Sequence, residues 1–221
     1  MAGFFAEYGG ILLEATWQSI YMIFVTVFFS YLLGLPLGIW SYVTDKDNIC
    51  ENKPVHAVLD WIINITRSIP FIILMITIIP FTRLVAGTSI GPTAAIVPLV
   101  AGAVPFVARV LESSFNEIDK GLISCAKAMG ATNMQIITKV LLPETLPSIV
   151  RGMSITAITL VGYTAMAGAV GGGGLGDVAI RYGYHRYQYN VMIATIIILI
   201  IMVQLIQFVF NLIAKRIDKN I

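Results

Sequence analysis

An all-α integral membrane protein is the fold class this sequence predicts, and three observations predict it. Hydrophobic residues make up 57% of the chain and charged residues only 12%, where a soluble domain has about 45–50% and ~25%. So few charges cannot clothe a globule in water. Mean hydropathy is +0.86. Five stretches almost free of Asp, Glu, Lys and Arg come near the roughly 20 residues a helix needs to cross a bilayer. None of them alternates as a barrel strand would.

The first span is residues 15–44, with Pro36 predicting a kink inside it. The second is 68–82, short by itself and extended backward through 61–66 across Arg67. The third, fourth and fifth are 84–108, 152–176 and 187–214. Residues 1–16 carry Glu7 and Glu14 but no Lys or Arg. A cleavable signal would start with a basic region, so 1–16 is read as an external N-terminal segment. Five spans put the termini on opposite sides. With the C-terminus cytoplasmic, eleven Lys and Arg lie inside and three (Arg83, Arg181 and Arg186) outside, which fixes the orientation by the positive-inside bias.

The long polar excursion 109–151 then faces the cytoplasm. Asp119 is placed to cap a helix over 120–129, with apolar side Leu122, Ala126 and Met129 and a stop at Gly130. Thr132 to Gln135 fits a capping box opening a second helix, in which Ile136, Ile137 and Val140 are expected to anchor onto the spans. That helix is expected to end before Pro143, with Pro147 barring an immediate return to helix.

Several motifs have a bland reading beside a functional one. Gly171, Gly173 and Gly176 satisfy G-x-G-x-x-G, but a dinucleotide site needs a strand before and a helix after. Following an apolar span, they read as a close-packed or unwound helix end. Gly34-x-x-x-Gly38 and Gly168-x-x-x-Gly172 let helices approach closely, within one subunit or between two. Tyr182, Tyr184, Tyr187 and Tyr189 read as an interfacial belt or an external contact surface. Arg67 interrupts a span and either snorkels or functions; Asp60, seven residues earlier, is too far along the helix to pair with it. No acid falls within the spans so drawn, which disfavours a proton- or sodium-driven carrier. His56 and His185 read as solvated loop residues on opposite sides, and Cys50 and Cys125 as small apolar residues. No Walker A motif is present.

The cytoplasmic excursion resembles the EAA loop of ABC-importer permeases. Gly130, nine residues and then Val140-Leu141-Leu142-Pro143 match the end of that signature. At its start Ser124-Cys125-Ala126 stands where Glu-Ala-Ala is expected. The likeness spans about 17–208. Arg67-Ser68-Ile69-Pro70-Phe71 and the stretch from Leu160-Val161-Gly162-Tyr163 to Gly173-Gly174-Leu175-Gly176 resemble the methionine-import permeases in particular. The resemblance implies a permease domain over 17–208 with its coupling loop at 112–143, and the end of the last helix with a cytoplasmic tail over 209–221. It implies a non-catalytic subunit of an inner-membrane importer working as a homodimer among membrane lipid. ATP and Mg would be bound by a partner ABC ATPase dimer, with no cofactor in this chain. An external methionine-binding (lipo)protein would deliver substrate, and no nucleic acid would be involved. Leu122, Ser124, Cys125, Ala126, Met129, Gly130, Leu142 and Pro143 are the expected coupling residues. Thr159, Tyr163 and Met166 are the candidates for the translocation path. The rival readings are a permease for another polar amino acid, an intramembrane enzyme, and a passive channel.

Overall fold

The computed structural model describes residues 2–218, and among them every regular element is helical. Helix α1 (Ala2–Thr44) takes in most of the segment expected to precede the first span. Glu7 and Glu14 are tolerated there because both are exposed. The helix is inside-out relative to a soluble one. Ser19, Thr26, Ser30 and Ser41 are buried, while Phe24, Phe28 and Leu32 are exposed. Small residues face the protein because close backbone approach holds helices together where lipid supplies no hydrophobic drive.

The second predicted span is not straight. Helices α2 (Lys53–Ser68) and α3 (Phe71–Thr77) meet at a bend of 96°. Counting uncharged residues could not see this break. Pro70 has no N–H to donate and pushes Ile69 out of the helical region, to φ −79° and ψ 122°. Helix α4 (Ile79–Ala86) follows and ends at Gly87, whose φ of 72° is left-handed. The third predicted span therefore begins not at 84 but at Pro92. As α5 (Pro92–Asn116) it runs on past 108, carrying Arg109 and Glu112.

Helix α6 (Lys120–Ala128) precedes α7 (Asn133–Ile136), a π turn (Ile137–Leu141) and α8 (Leu142–Gly168). The last three form one continuous rod, Asn133–Gly168, where a stop before Pro143 was expected. The reason is the π turn. The N–H of Leu142 bonds the carbonyl of Ile137, five residues back, and the widened turn makes room for Pro143 without the usual ring clash. The rod stops at Gly168, short of the predicted 176. Helix α9 (Gly174–Val178) and a second π turn (Ala179–Tyr184) lead to α10 (Tyr189–Ile217).

Helices α1, α5 and α8 form the centre, with α10 against α8. A Cβ on Gly34 would come within 2.8 Å of Val107, and one on Gly38 within 2.9 Å of Leu111. The Gly34–Gly38 spacing thus serves packing within the chain. At one end, the C-terminus of α1 meets α2, the end of α5, α6 and α7: Ser41 bonds Glu112 and Asn133 bonds Cys50. At the other end, Gln18 and Ser19 of α1 meet the glycine run before α9.

Candidate functional site

The excursion between α5 and α8 builds a rigid knuckle from local chemistry. Asp119 caps α6 by accepting from the N–H of Gly121 at 2.8 Å. At the other end, the N–H of Gly130 bonds the Lys127 carbonyl and that of Ala131 bonds the Ala126 carbonyl. With Gly130 at φ 77° this is a Schellman stop. The predicted capping box is formed: Thr132 Oγ1 accepts from the N–H of Gln135, and Gln135 Oε1 accepts from that of Thr132 at 2.8 Å.

The buried face of α6 is Ile123 and Ala126, packed with Phe115, Ile136 and Leu141. The apolar side predicted from Leu122, Ala126 and Met129 is corrected accordingly: only Ala126 is inside. Leu122 is 44% and Met129 81% exposed. Ser124, Cys125, Gly130 and Pro143 are exposed as well, and Leu142 is half-buried. Of the expected anchors, Ile136 is buried while Ile137 and Val140 are half-buried; Leu141 completes the seat. Met134, which the sequence reading passed over, is 68% exposed on the same knuckle. An exposed apolar set on a capped, polar-flanked segment is what a docking surface requires.

On α8, Ile155, Gly162 and Met166 are exposed and Thr159 is half-exposed, at steps of four, three and four residues. They make one stripe of small and soft side chains. Thr159 Oγ1 donates to the Ile155 carbonyl at 2.9 Å. Tyr163 lies beside the stripe and stacks on Phe71 of α3. The structure thus brings the three path candidates to one side of α8.

A polar cluster that the sequence reading missed joins three helices near the knuckle. Arg109 contacts Asp60, bonds Asn64 at 3.0 Å and pairs with Glu112 at 3.1 Å. Ser41 donates to Glu112 at 3.1 Å. Glu112 is 6% exposed, so α5 carries a buried acid beyond the span drawn to 108. Its signal in the sequence is Arg-x-x-Glu, one helical turn apart, lying past the charge that bounds the third predicted span. Asp60, correctly denied to Arg67, belongs to Arg109. His56 is also corrected. It sits in the first turn of α2, with Nδ1 3.1 Å from the Ser41 carbonyl and Nε2 3.5 Å from Asp45. His185 is exposed beside Tyr184.

The glycine run packs backbone on backbone. A Cβ on Gly168 would lie 2.2 Å from the Asp177 nitrogen, and one on Gly176 2.3 Å from the Ala165 oxygen. Gln18 Oε1 and Ser19 Oγ accept from the N–H groups of Gly174 and Leu175, each at 2.9 Å. A helix precedes the run where a dinucleotide fold needs a strand. Nearby, Tyr182 meets Tyr8 edge to face and lies under Arg186, while Tyr184, Tyr187 and Tyr189 are exposed.

The family model described as "Binding-protein-dependent transport system inner membrane component" matches residues 34–221. A protein of Vibrio cholerae serotype O1 named "Probable D-methionine transport system permease protein MetI" is 51% identical over 218 residues, covering 99% of this chain and 97% of that one. The Escherichia coli K12 protein named "D-methionine transport system permease protein MetI" is 52% identical over 158 residues, 72% of this chain and 73% of its own. A solved chain of the MetNI methionine ABC transporter, inward facing, matches with TM-score 0.95 at 49% identity, covering 96% of this chain and 99% of that one. A chain of an amino acid ABC transporter crystallised with histidines matches at TM-score 0.79 and 18% identity, over 96% of each, and shares the fold.

Proposed function

The chain belongs to the family of binding-protein-dependent transport system inner membrane components, and we propose that within it this is the permease subunit of an ATP-driven methionine importer. The observation that carries the reading is the match, at TM-score 0.95 and 49% identity over nearly the whole of both chains, to a methionine ABC transporter chain. The likeness to another amino acid transporter, at 18% identity, supports the fold and gives no reason to prefer its substrate.

The permease domain takes in 17–208, preceded by an external segment and followed by a cytoplasmic tail; residues 219–221 of that tail lie outside the described residues. The N-terminus is outside and the knuckle inside, supported by the clustering of Lys46, Lys53, Arg109, Lys120, Lys127, Lys139, Arg151, Lys215 and Arg216 toward one end. Leu122, Ser124, Cys125, Met129, Gly130 and Met134 form the surface offered to a cytoplasmic ATPase dimer, which binds ATP and Mg. Ala126 and Leu142 hold that surface from beneath, and Pro143 lies on the rod above it, just past the π turn. The stripe through Thr159, Gly162 and Met166, with Tyr163 beside it, faces a second copy of this chain across the path. An external methionine-binding protein delivers substrate to the end where Gln18 and Ser19 hold the glycine run.

Such a permease does its work by switching between two packings of the same helices, biased by the nucleotide state of its partner. The knuckle meets the requirement that motion be passed on and not absorbed. It is capped at both ends of α6, and α7 continues into the α8 rod. The test is uptake of labelled methionine into vesicles holding this chain, its ATPase and its binding protein. ATP-dependent accumulation is expected. Accumulation of a different amino acid in preference, or none with an active ATPase, overturns the substrate assignment.

A further inference from the structure

Beneath the loop joining α4 to α5, at the end assigned to the outside, lies a cavity of about 190 Å³. This is several times the ~30 Å³ share of one water molecule and suits a free amino acid. Met75, Ile79 and Pro98 give it apolar walls, and Thr82, Arg83 and Ser89 supply its polar groups. The N–H of Gly91 donates to the Gly171 carbonyl at 2.9 Å, fastening this loop to the end of α8.

Two features of the polar groups call for a ligand. Thr82 is 4% exposed, yet its Oγ1 has no hydrogen-bond partner among the described residues. Thr16, Thr77 and Thr159 turn the hydroxyl back to their own helix carbonyls; Thr82 does not, and unlike Thr26, which is also unpaired, it lines a cavity. A buried hydroxyl left unpaired costs about 1–3 kcal/mol, so it asks for a partner. Arg83 is the second feature. Of the three arginines assigned to this side, Arg181 pairs with Asp177 and Arg186 sits over the Tyr182 ring. Arg83 gives Nε to Ser89 Oγ at 3.2 Å and has no carboxylate among the described residues. Its remaining donors form the planar fork that matches a carboxylate.

We propose that this cavity is a receiving site for the substrate amino acid on the permease itself. Arg83 holds the α-carboxylate, Thr82 Oγ1 accepts from the ammonium group, and an unbranched apolar side chain lies along Met75, Ile79 and Pro98. The proposal rests on the methionine reading above and extends it to named residues. Soft, flexible Met75 suits a thioether side chain. Ala167 and Val170 line the cavity on either side of the end of α8, one residue and one turn beyond Met166. A bound amino acid therefore waits beside the stripe assigned to the path.

The experiment is equilibrium binding of labelled methionine to the permease–ATPase complex in lipid nanodiscs without binding protein. One saturable class of site should weaken roughly tenfold or more in Arg83→Gln and by less in Arg83→Lys and Thr82→Val. Norleucine, of similar shape, should displace methionine from it, and glutamate should not. Variants must keep ATP hydrolysis stimulated by the binding protein; loss of binding only together with that activity counts against the site. Undiminished binding in both Arg83→Gln and Thr82→Val overturns the site alone, provided wild-type vesicles take up methionine. Failure of wild-type uptake overturns the substrate reading instead.

Discussion

Phe71, the first residue past the bend at Pro70, lies flat on Tyr163 of α8, with ring centroids 4.4 Å apart and planes within 1° of parallel. Gly102 of α5 makes room for this stack: a Cβ there would come within 3.3 Å of the Phe71 ring. The broken segment is thereby held to two central helices at once. An aromatic pair contributes about 0.5–1.5 kcal/mol beyond its buried area. Tyr163→Phe should leave the thermal midpoint of the purified complex unchanged, and Tyr163→Ala should lower it and reduce uptake. Equal midpoints for both variants would show that the stack holds nothing.

A Cβ on Gly130 would meet nothing within 4 Å among the described residues, so its constraint is conformational and not steric. A left-handed backbone costs other residues roughly 1–2 kcal/mol, and asparagine tolerates it best. Gly130→Asn should transport nearly normally. Gly130→Arg adds bulk to the docking surface as well, and uptake should fall roughly tenfold or more while the permease stays folded, a loss equivalent to about 1.4 kcal/mol in coupling. Normal uptake by Gly130→Arg would place coupling elsewhere.

Cys50 and Cys125 are both exposed thiols at the knuckle end. An impermeant thiol reagent should miss both in right-side-out vesicles and reach both in inverted ones. Adding the ATPase should then protect Cys125, on α6, more than Cys50. Labelling from the outside would reverse the topology; equal labelling of Cys125 with and without ATPase would remove α6 from the docking surface.

Two glycines on one helix should separate folding from assembly. Gly168→Ala forces a Cβ to 2.2 Å from the Asp177 nitrogen and should abolish extraction of folded permease. A Cβ on Gly162 would meet nothing within 4 Å beyond its own helix among the described residues. Gly162→Leu should therefore insert and fold, yet yield less homodimer on size-exclusion chromatography in detergent. Full dimer recovery from Gly162→Leu would move the interface off this stripe.

Removing Arg109 leaves Glu112 buried and Asp60 uncompensated. Breaking a fully buried pair costs about 3–5 kcal/mol; with Arg109 29% and Asp60 38% exposed, about 2 kcal/mol is expected. Arg109→Met should lower the thermal midpoint, and adding Glu112→Gln should recover part of the loss. If the double variant is no better than the single one, the Glu112 charge is not the source of the strain.

What the sequence made legible was local. The Asp119 cap, the Gly130 stop and the Thr132 capping box each depend on residues within one turn of one another, and all three are formed. The membrane fold was equally legible, because the scarcity of charge is a property of the whole chain. The failures had causes that composition cannot carry. An uncharged run through 68–82 hides the N–H that Pro70 lacks. Pro143 reads as a breaker unless a π turn precedes it, and nothing at Ile137–Leu141 announces one. On α6, helical spacing fitted two faces, and only the neighbours Phe115 and Ile136 decide that Ile123 is the buried one. The cavity under the α4–α5 loop joins residues from α3, α4, α5 and α8, so no single stretch contained its signal.

The unbroken course of Asn133–Gly168 has a consequence for amplitude. Near its middle the rod is held closely at Gly152: a Cβ there would reach 2.7 Å from Val110 and 3.3 Å from the Tyr31 hydroxyl. At about 1.5 Å per residue, nineteen residues lie below that point and sixteen above, arms of roughly 29 and 24 Å. A beam balanced so near its middle neither magnifies nor damps. If the rod turns about that point as one body, a push on the foot at Asn133 carries the tip at Gly168 almost as far in the opposite sense. The opening available at the Gly168 end is then bounded by the stroke delivered at the knuckle end.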